Sequence, residues 1–409
     1  MSLANIWQSF SKHAVSMELL KETFIALSFN LGGILAGFIV AFQFNVFELA
    51  PWAIAVYPVV LSARGVVSGL YSGRLSTGLH LGTIYPKLRG NTKEFYTLLK
   101  SIIVLTLETS IIMSMFSIII GSLFWGITFL DFFDILMVVS ATMFLGLINS
   151  LFTILFAFTS FKRGLDTDVI VYPIMSTTAD ITVTLSYVFI LNLFFMFNIV
   201  GKSVVFSLGL ILSIVALIFL RNCIHNKDFI KTIKESFVTL FFVAIIVNIT
   251  GTILKDVEKI VNSRKEIYTV YPALIDTVGD VGSIVGSTAT TKLALGLLSP
   301  SFRSIFSHSK RIVTTWIASL IMFTLYAVIS LSIQGSLMLQ SFLNFLGLLV
   351  ILNIISVLVI VIVSFSVAIL TYRRGLDPDN FVIPIESSLA DTITTLALLI
   401  ALILMNYSI

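Results

Sequence analysis

The chain has 409 residues, of which 57% are hydrophobic and 11% are charged, and its formal net charge is +4. With a mean hydropathy of +1.06, it has too little polar surface to cover a soluble globule of its size. The composition therefore excludes a soluble enzyme and a nucleic-acid-binding protein, and it indicates an integral membrane protein in contact with a lipid bilayer.

Apolar segments of roughly 20 residues recur from end to end, and each is long enough to cross a hydrocarbon core about 30 Å thick. They predict an all-α membrane protein with about eleven transmembrane helices, grouped as five, one and five. The predicted spans are 23–46, 53–82, 99–127, 133–160, 170–197, 203–220, 236–262, 267–298, 311–334, 338–370 and 380–406.

The sequence contains two copies of one unit. FKRGLDTDVIVYPIMSTTADITVTL begins at Phe161, and YRRGLDPDNFVIPIESSLADTITTL begins at Tyr372. A second pair lies upstream in the same order, VYPVVLSARGVVSGLYSGRLSTGLHLG from Val56 and VYPALIDTVGDVGSIVGSTATTKLALG from Val270. Such self-similarity predicts a tandem architecture. We expect a first five-helix repeat over 1–200, a connecting transmembrane helix with a cytosolic linker over 201–235, and a second five-helix repeat over 236–409.

The connecting helix gives both repeats the same orientation, so they are expected to be parallel and related by a pseudo-twofold axis along the membrane normal. If the N-terminus is cytoplasmic, seventeen of the 25 Lys and Arg residues fall on the inner side and five on the outer side, while three lie within spans. This asymmetry favours a multi-pass protein of the cell membrane with its N-terminus in the cytoplasm and its C-terminus outside.

The metal-binding residue types limit the possible chemistry. The single cysteine, Cys223, cannot form a thiolate cluster, and the four histidines are scattered along the chain without ligand spacing. Any metal handled here should therefore be hard and oxygen-loving, such as Mg²⁺ or Ca²⁺. No resident cofactor is expected.

Acidic side chains within the spans are the next signal, because an acid at the centre of a membrane costs on the order of 2.5–3.5 kcal/mol and usually faces a polar cavity or a partner. Among these acids, only Asp180 and Asp391 stand at equivalent places in both copies, near the middle of the fifth span. The acids within the predicted spans are Glu108, Asp180, Asp276, Asp280, Glu386 and Asp391.

Hydroxyl side chains surround both aspartates on one helical face, at positions i−4, i−3 and i+4. They are Ser176, Thr177 and Thr184 in the first copy and Ser387, Ser388 and Thr395 in the second. Two carboxylates with such neighbours suit a divalent cation that keeps much of its water shell. Alternatively, the hydroxyls only make hydrogen bonds between helices, and each aspartate pairs with Arg64, Arg74 or Lys292.

The second span of each copy is rich in small residues, among them Gly65 and Gly279. Small residues at helical spacing allow close helix packing, but these spans also carry charges that a purely packed seam would avoid. We therefore predict that Gly65 and Gly279 line the path, with Asp276, Asp280 and Glu386 as secondary metal ligands. Prolines near the starts of these spans, Pro58 and Pro272, could break the helices.

Two motifs give the chain a family resemblance. SGRLSTGLHLG at Ser72 to Gly82, and the combination of Asp377, Pro378, Pro384, Ala390 and Asp391, resemble the membrane domain of the MgtE-type magnesium transporters. The tandem arrangement resembles the related solute-carrier magnesium transporters and their prokaryotic relatives.

The resemblance implies a Mg²⁺ path between two five-helix units, with the aspartate of the Ala-Asp pair, here Asp180 and Asp391, binding the ion. The family's Gly-Asn element in the second helix falls on Gly65-Val66 and Gly279-Asp280, and neither copy keeps the asparagine. One chain could then form the whole pore.

Divalent-cation transport, of Mg²⁺ in particular, is the function predicted from these features, with Na⁺ or H⁺ as a possible coupling ion. Two alternatives remain at this point. One is an ion-coupled secondary carrier of another solute. The other is a Mg²⁺-dependent membrane enzyme acting on lipid phosphates, for which Asp276 and Asp280 lie four residues apart on one helical face.

Overall fold

The computed structural model describes residues 17–405 except 81, 164–166, 262–263, 295 and 376–378. It is 88% helical, and no β-strand occurs in this described part of the chain. The prediction of an all-α protein is confirmed.

Fourteen α-helices lie in the described residues, and short 3-10 turns precede some of them. In chain order they are α1 (Met17–Ser28), α2 (Gly32–Phe42), α3 (Phe44–Phe47), α4 (Ala53–His80), α5 (Lys93–Phe124), α6 (Phe132–Gly146), α7 (Ile148–Lys162), α8 (Thr167–Met196), α9 (Asn198–Cys223), α10 (Lys227–Val261), α11 (Lys265–Ala294), α12 (Ser309–Ile333), α13 (Leu339–Arg373) and α14 (Asp379–Leu404).

Eight helical segments in the described residues are long and apolar enough to cross a bilayer. They are Leu19–Phe42, Lys93–Phe124, Phe129–Lys162, Met175–Met196, Asn198–Cys223, Leu240–Val261, Phe302–Ile333 and Leu339–Arg373. Two shorter apolar helices, Ala53–Ser68 and Leu389–Leu404, fall within predicted spans. The membrane character of the chain is therefore established, whereas the count of eleven crossings stays a prediction.

The helices divide into two compact units, Leu35–Thr269 and the combination of Met1–Ile34 with Val270–Ile409. The first unit contains most of α2 and all of α3 to α10, and the second contains α1, most of α11, and α12 to α14. Each unit therefore includes a helix of the other sequence repeat, α10 in one and α1 in the other. The compact units and the sequence repeats are different divisions of the chain, and the repeat boundaries at 200 and 235 stay a prediction.

In the Leu35–Thr269 unit, α10 packs on α4 and α5. The approach to α4 is close, because a Cβ at Gly251 would overlap the carbonyl oxygen of Ala55. The contact with α5 is polar: Ser117 Oγ donates to Asn248 Oδ1 at 2.7 Å, and Trp125 Nε1 donates to Thr252 Oγ1 at 2.9 Å. Small residues and side-chain hydrogen bonds are the contacts expected between helices in lipid.

The second unit uses the same devices. Helix α13 packs on α12 and α14, and α12 also packs on α1. Asn353 in α13 accepts a hydrogen bond from Trp316 Nε1 at 2.8 Å and donates to Ser319 Oγ at 3.0 Å. Asn353 is fully buried, so these bonds satisfy an amide that would otherwise be costly in an apolar interior.

Helix α9, which connects the repeats, carries exposed apolar side chains. Ile199 is 82% exposed and Val200 is 72% exposed, and Leu217 on the same helix is also exposed. Exposed branched side chains on a long apolar helix are expected when lipid rather than water surrounds the helix.

The prolines do not interrupt the second helix of either repeat. Pro58 lies inside α4 and Pro272 lies inside α11, and both helices continue past them. The prediction of a broken helix at these positions is wrong. Instead, the fourth span of the first repeat is interrupted at Leu147, between α6 and α7, where Leu147 N bonds Phe144 O and Ser150 N bonds Leu147 O. Its counterpart α13 is continuous.

Candidate ion-binding site

Asp180 lies in α8 and Asp391 in α14, within the Leu35–Thr269 unit and the second unit respectively. Both side chains are partly exposed rather than buried. In the first repeat, Ser176 is also partly exposed and Thr177 is buried. Ser387 and Ser388 belong to α14, and their side chains lie outside the described part of the structure. Each aspartate thus keeps part of its surface uncovered by the protein in a mainly apolar helix.

A tyrosine from the second helix of the repeat fixes each of these fifth helices. Tyr57 OH in α4 and Thr184 Oγ1 in α8 are 2.9 Å apart. In the second unit, Tyr271 OH in α11 and Thr395 Oγ1 in α14 are 2.7 Å apart. Both threonines are fully buried. We call these two contacts the Tyr-Thr bonds.

The Tyr-Thr bonds explain where the predicted lining threonines point. Thr184 and Thr395 each make a hydrogen bond to a helix neighbour, and Thr395 also donates to the carbonyl of Asp391 at 2.6 Å. Their assignment to a pore lining stays a prediction. The tyrosines were missed at the sequence level, although the repeated Val-Tyr-Pro beginning at Val56 and Val270 marks both of them.

Acidic residues gather in the second unit between α11 and α14. Asp280 and Glu386 interact electrostatically, and Glu386 is only 2% exposed. The close approach depends on glycine: a Cβ at Gly282 would lie 2.8 Å from Glu386 Cγ, and one at Gly279 would lie 3.6 Å from Glu386 Oε1. These contacts bring two of the three predicted secondary ligands together.

Neutral polar groups connect this acidic pair to other helices. Asn30 follows α1 in the chain. Its Nδ2 donates to Asp280 Oδ2 at 2.8 Å and lies 3.4 Å from Thr277 Oγ1. Thr277 Oγ1 and Tyr326 OH in α12 are 2.7 Å apart, and Tyr326 interacts electrostatically with Asp276. Asn30, which belongs to the first sequence repeat, thus donates a hydrogen bond to Asp280 of the second repeat.

The second helix of the first repeat carries a buried base, two residues before Val66, the position that matches Asp280. Arg64 in α4 is 1% exposed, and its Nη2 donates to Ser150 Oγ at 3.1 Å. No carboxylate lies within 4 Å of its guanidinium among the described residues. The alternative in which Arg64 pairs with an aspartate is therefore not observed. Gly65, its neighbour, is open, because a Cβ there would meet nothing within 4 Å.

The other basic residues of the second helices contact neighbouring polar side chains. Arg74 Nη1 donates to Thr232 Oγ1, and Lys292 Nζ lies 3.2 Å from His308 Nδ1. Across the described parts of the chain, no three His, Cys, Asp or Glu side chains form a group that could hold a metal ion. A cation would therefore have to take hydroxyl, amide, carbonyl or water oxygens in addition to carboxylates.

Comparison with known proteins gives one match. A family model described as MgtE, divalent cation transporter, matches residues 57–190 and 271–401, which is more than half of the chain and covers both repeats. The chain belongs to the MgtE divalent cation transporter family. No curated protein and no solved structure matches it.

Membership of the MgtE family decides between the functions considered above. MgtE proteins are transporters of divalent cations and not enzymes, so the reading of Asp276 and Asp280 as a catalytic pair is wrong. Together with the long apolar helices, membership makes this chain a multi-pass membrane transporter of divalent cations. The two matched regions also confirm the tandem MgtE-like arrangement predicted from the repeats.

Proposed function

We propose that this MgtE protein carries Mg²⁺ along a path at the pseudo-twofold interface of its two repeats, with Asp180 and Asp391 as central ligands. Mg²⁺ is the cation that the family generally carries. The observation that carries the assignment is the equivalence of the two aspartates, one in each matched region. Among the acids predicted within spans, no other has a counterpart in both copies.

The chemistry of this pair suits a partly hydrated divalent ion. Two carboxylates supply a formal charge of about −2, and Mg²⁺ commonly uses one or two carboxylates while it keeps several waters. Ser176 and Thr177, with Ser387 and Ser388 in the other repeat, add hydroxyl oxygens along the same helical face. Partial exposure of both aspartates supports access by water.

Asp276, Asp280 and Glu386 act as secondary ligands in this proposal, and Gly65 and Gly279 line the path beside them. An ionised carboxylate of Asp280 or Glu386 adds negative potential in the second repeat. Cations entering a low-dielectric region are attracted by such a field more strongly than they would be in water.

One chain holds both copies, so a single chain forms the pore in this proposal, with its N-terminus in the cytoplasm and its C-terminus outside. The distribution of Lys and Arg residues between the two sides supports this orientation. It can be tested in a Cys223→Ser background by placing single cysteines at Lys93, which we assign to the inner side, and at Lys202, which we assign to the outer side. An impermeant thiol reagent added to intact cells should label only the cysteine at position 202.

The transport proposal is tested by reconstituting the purified chain into liposomes and measuring Mg²⁺ uptake with a trapped indicator. We expect Mg²⁺ uptake to exceed that of empty liposomes. We also expect Ca²⁺, Mn²⁺ and Co²⁺ to inhibit this uptake to different extents. Repeating the assay with an opposing Na⁺ gradient, or a pH gradient, separates coupled exchange from passive flow. Uptake no faster than in empty liposomes, in protein that remains folded, would contradict the proposal.

A further inference from the structure

A group of buried polar side chains in the Leu35–Thr269 unit has no hydrogen-bond partners for many of its atoms. The atoms are Arg64 Nε and Nη1, Ser68 Oγ, Tyr71 OH, and both Oδ1 and Nδ2 of Asn149. Within the described residues, none of these six atoms has a partner. Six such atoms on two neighbouring helices are unusual, because buried polar atoms are nearly always satisfied by protein, water or an ion.

These side chains lie on two neighbouring helices, α4 and α7. Arg64, Ser68 and Tyr71 lie at i, i+4 and i+7 of α4 and therefore on one face. Arg64 and Tyr71 interact electrostatically. Across from them, Arg64 Nη2 bonds Ser150 Oγ, and Asn149 precedes Ser150 at the start of α7. We call Arg64, Ser68, Tyr71 and Asn149 the Arg64 cluster.

The charge of the Arg64 cluster is not balanced. A guanidinium stays protonated in proteins, and burying a charge without a counter-charge is among the most costly arrangements in a fold. Arg64, Tyr71 and Asn149 are all at most 1% exposed, so bulk water does not solvate the charge. A nearby negative charge would offset this cost.

The donors of the cluster define the class of that partner. The guanidinium, the two hydroxyls and the Asn149 amide can all donate hydrogen bonds, and none of the six atoms belongs to an acidic side chain. Each of the six atoms is closed to solvent, which favours a small monatomic ion over a polyatomic one. We propose that the Arg64 cluster binds a single small monovalent anion of the halide class, with chloride as the physiological occupant.

The position of the cluster gives the anion a consequence for transport, and this consequence alone rests on the proposed function. A Cβ built on Gly146 would lie 3.6 Å from Arg64 Cδ and 3.7 Å from Val183 Cγ2, so these two side chains approach each other at Gly146. Val183 is one helical turn from Asp180. A bound anion neutralises Arg64 near the proposed ligand, so it should strengthen the attraction of Asp180 for a cation.

The test is anion-dependent stability of the full chain in detergent, at constant ionic strength, in the absence of Mg²⁺. Chloride and bromide, replacing gluconate, should raise the midpoint of thermal unfolding saturably by on the order of 2 °C, whereas sulfate should not. Arg64→Gln should abolish the rise. Tyr71→Phe and Asn149→Leu keep the charge and should raise the half-saturating halide concentration about tenfold, so the test stands even if Arg64→Gln fails to fold.

The matched control is Arg74→Gln, because Arg74 lies on the same helix but is exposed and bonds Thr232; it should keep the full halide response. Bromide should also give an anomalous scattering peak beside Arg64 in crystals. A response that is absent, that sulfate reproduces, or that keeps the wild-type half-saturating halide concentration in folded Tyr71→Phe and Asn149→Leu proteins overturns the site. If the counter-charge is instead Asp180, the wild type shows no halide response, and Asp180→Asn lowers stability unless Arg64→Gln accompanies it.

The same measurements separate this inference from the transport proposal. If halide stabilises the protein but Mg²⁺ uptake is absent in liposomes, the transport proposal fails and the anion site stands. If uptake is normal and no halide response exists in any variant, the anion site fails alone.

Discussion

The second helices of the two repeats, α4 and α11, keep the same packing contact but differ in their charged residues. In its N-terminal part, each has a tyrosine that bonds a buried threonine of the fifth helix, Tyr57 with Thr184 and Tyr271 with Thr395. Beyond that contact they differ. Arg64 is buried in α4, whereas the matching residue of α11 is the buried Val278, and Val66 of α4 is matched by Asp280.

This difference distinguishes the residues that pack each second helix on its fifth helix from the residues that interact with ions. The Tyr-Thr bond contributes to helix association whatever passes through the protein, so it is present in both copies. The charged positions do not contribute to packing, because burying them costs free energy. When two copies share one chain, they can diverge at such positions, which two identical subunits cannot do.

The largest effect is expected where the two copies agree. Changing Asp180 and Asp391 together to Asn should lower Mg²⁺ uptake in liposomes about 100-fold, equivalent to about 2.8 kcal/mol, because both formal charges of the proposed ligand pair are lost. Asp256→Asn is the control, since Asp256 is an exposed acid that pairs with Lys259 at 2.7 Å and should leave uptake unchanged. Wild-type uptake by the folded double variant would remove the aspartate pair from the path.

The second prediction concerns the glycines of the two helices. Gly282→Ala should lower the free energy of unfolding by about 2 kcal/mol, because the new methyl group would lie 2.7 Å from Ile360 Cγ1 and 2.8 Å from both Glu386 Cγ and Ser364 Oγ. Gly65→Ala adds a methyl that meets nothing within 4 Å and should be neutral or stabilise by about 0.5 kcal/mol. Thermal unfolding in detergent measures both, and equal effects would contradict the described packing of α11 on α14.

The third prediction tests the charge difference directly. Asp280→Asn keeps an acceptor for Asn30 Nδ2 but removes a negative charge beside Glu386, so the half-saturating Mg²⁺ concentration should rise about fivefold, or about 1 kcal/mol. Val66→Asn, at the matching position of α4, should change it less than about twofold. Uptake kinetics in liposomes decide this, and a larger effect at Val66 would show that the acidic repeat does not attract the ion.

The sequence allowed the helices and their order to be predicted well, because long apolar segments and an internal repeat are strong signals. The span predicted over 203–220 corresponds to α9, Asn198–Cys223, and the span over 338–370 corresponds to α13, Leu339–Arg373. The span over 133–160 is interrupted at Leu147, which no proline marks. The prolines that are present, Pro58 and Pro272, lie inside continuous helices.

The contacts of the candidate site could not be predicted in the same way, since they depend on tertiary packing. Asn30 and Asp280 are 250 residues apart in sequence and still form a hydrogen bond. Glu386 had been predicted from charge alone, but its position against Gly282 follows from the geometry of two packed helices. That no described carboxylate pairs with Arg64 is likewise a property of the folded unit, because a sequence cannot tell which acids approach a buried base.

The smallest effect is expected from the contact that both copies keep. Tyr57→Phe and Tyr271→Phe should each lower the free energy of unfolding by about 1 kcal/mol, because each removes one buried hydroxyl-to-hydroxyl bond and leaves Thr184 or Thr395 without that partner. Thermal unfolding of the two variants in the same detergent gives the comparison.

Tyr271→Phe should in addition raise the half-saturating Mg²⁺ concentration slightly, because Thr395 also bonds the carbonyl of Asp391, whereas no such bond to Asp180 is described for Thr184. Since the two losses of stability come from the same bond in both repeats, they should agree within about 0.5 kcal/mol, and a much larger loss at either tyrosine would mean that the two copies have diverged in packing as well as in charge.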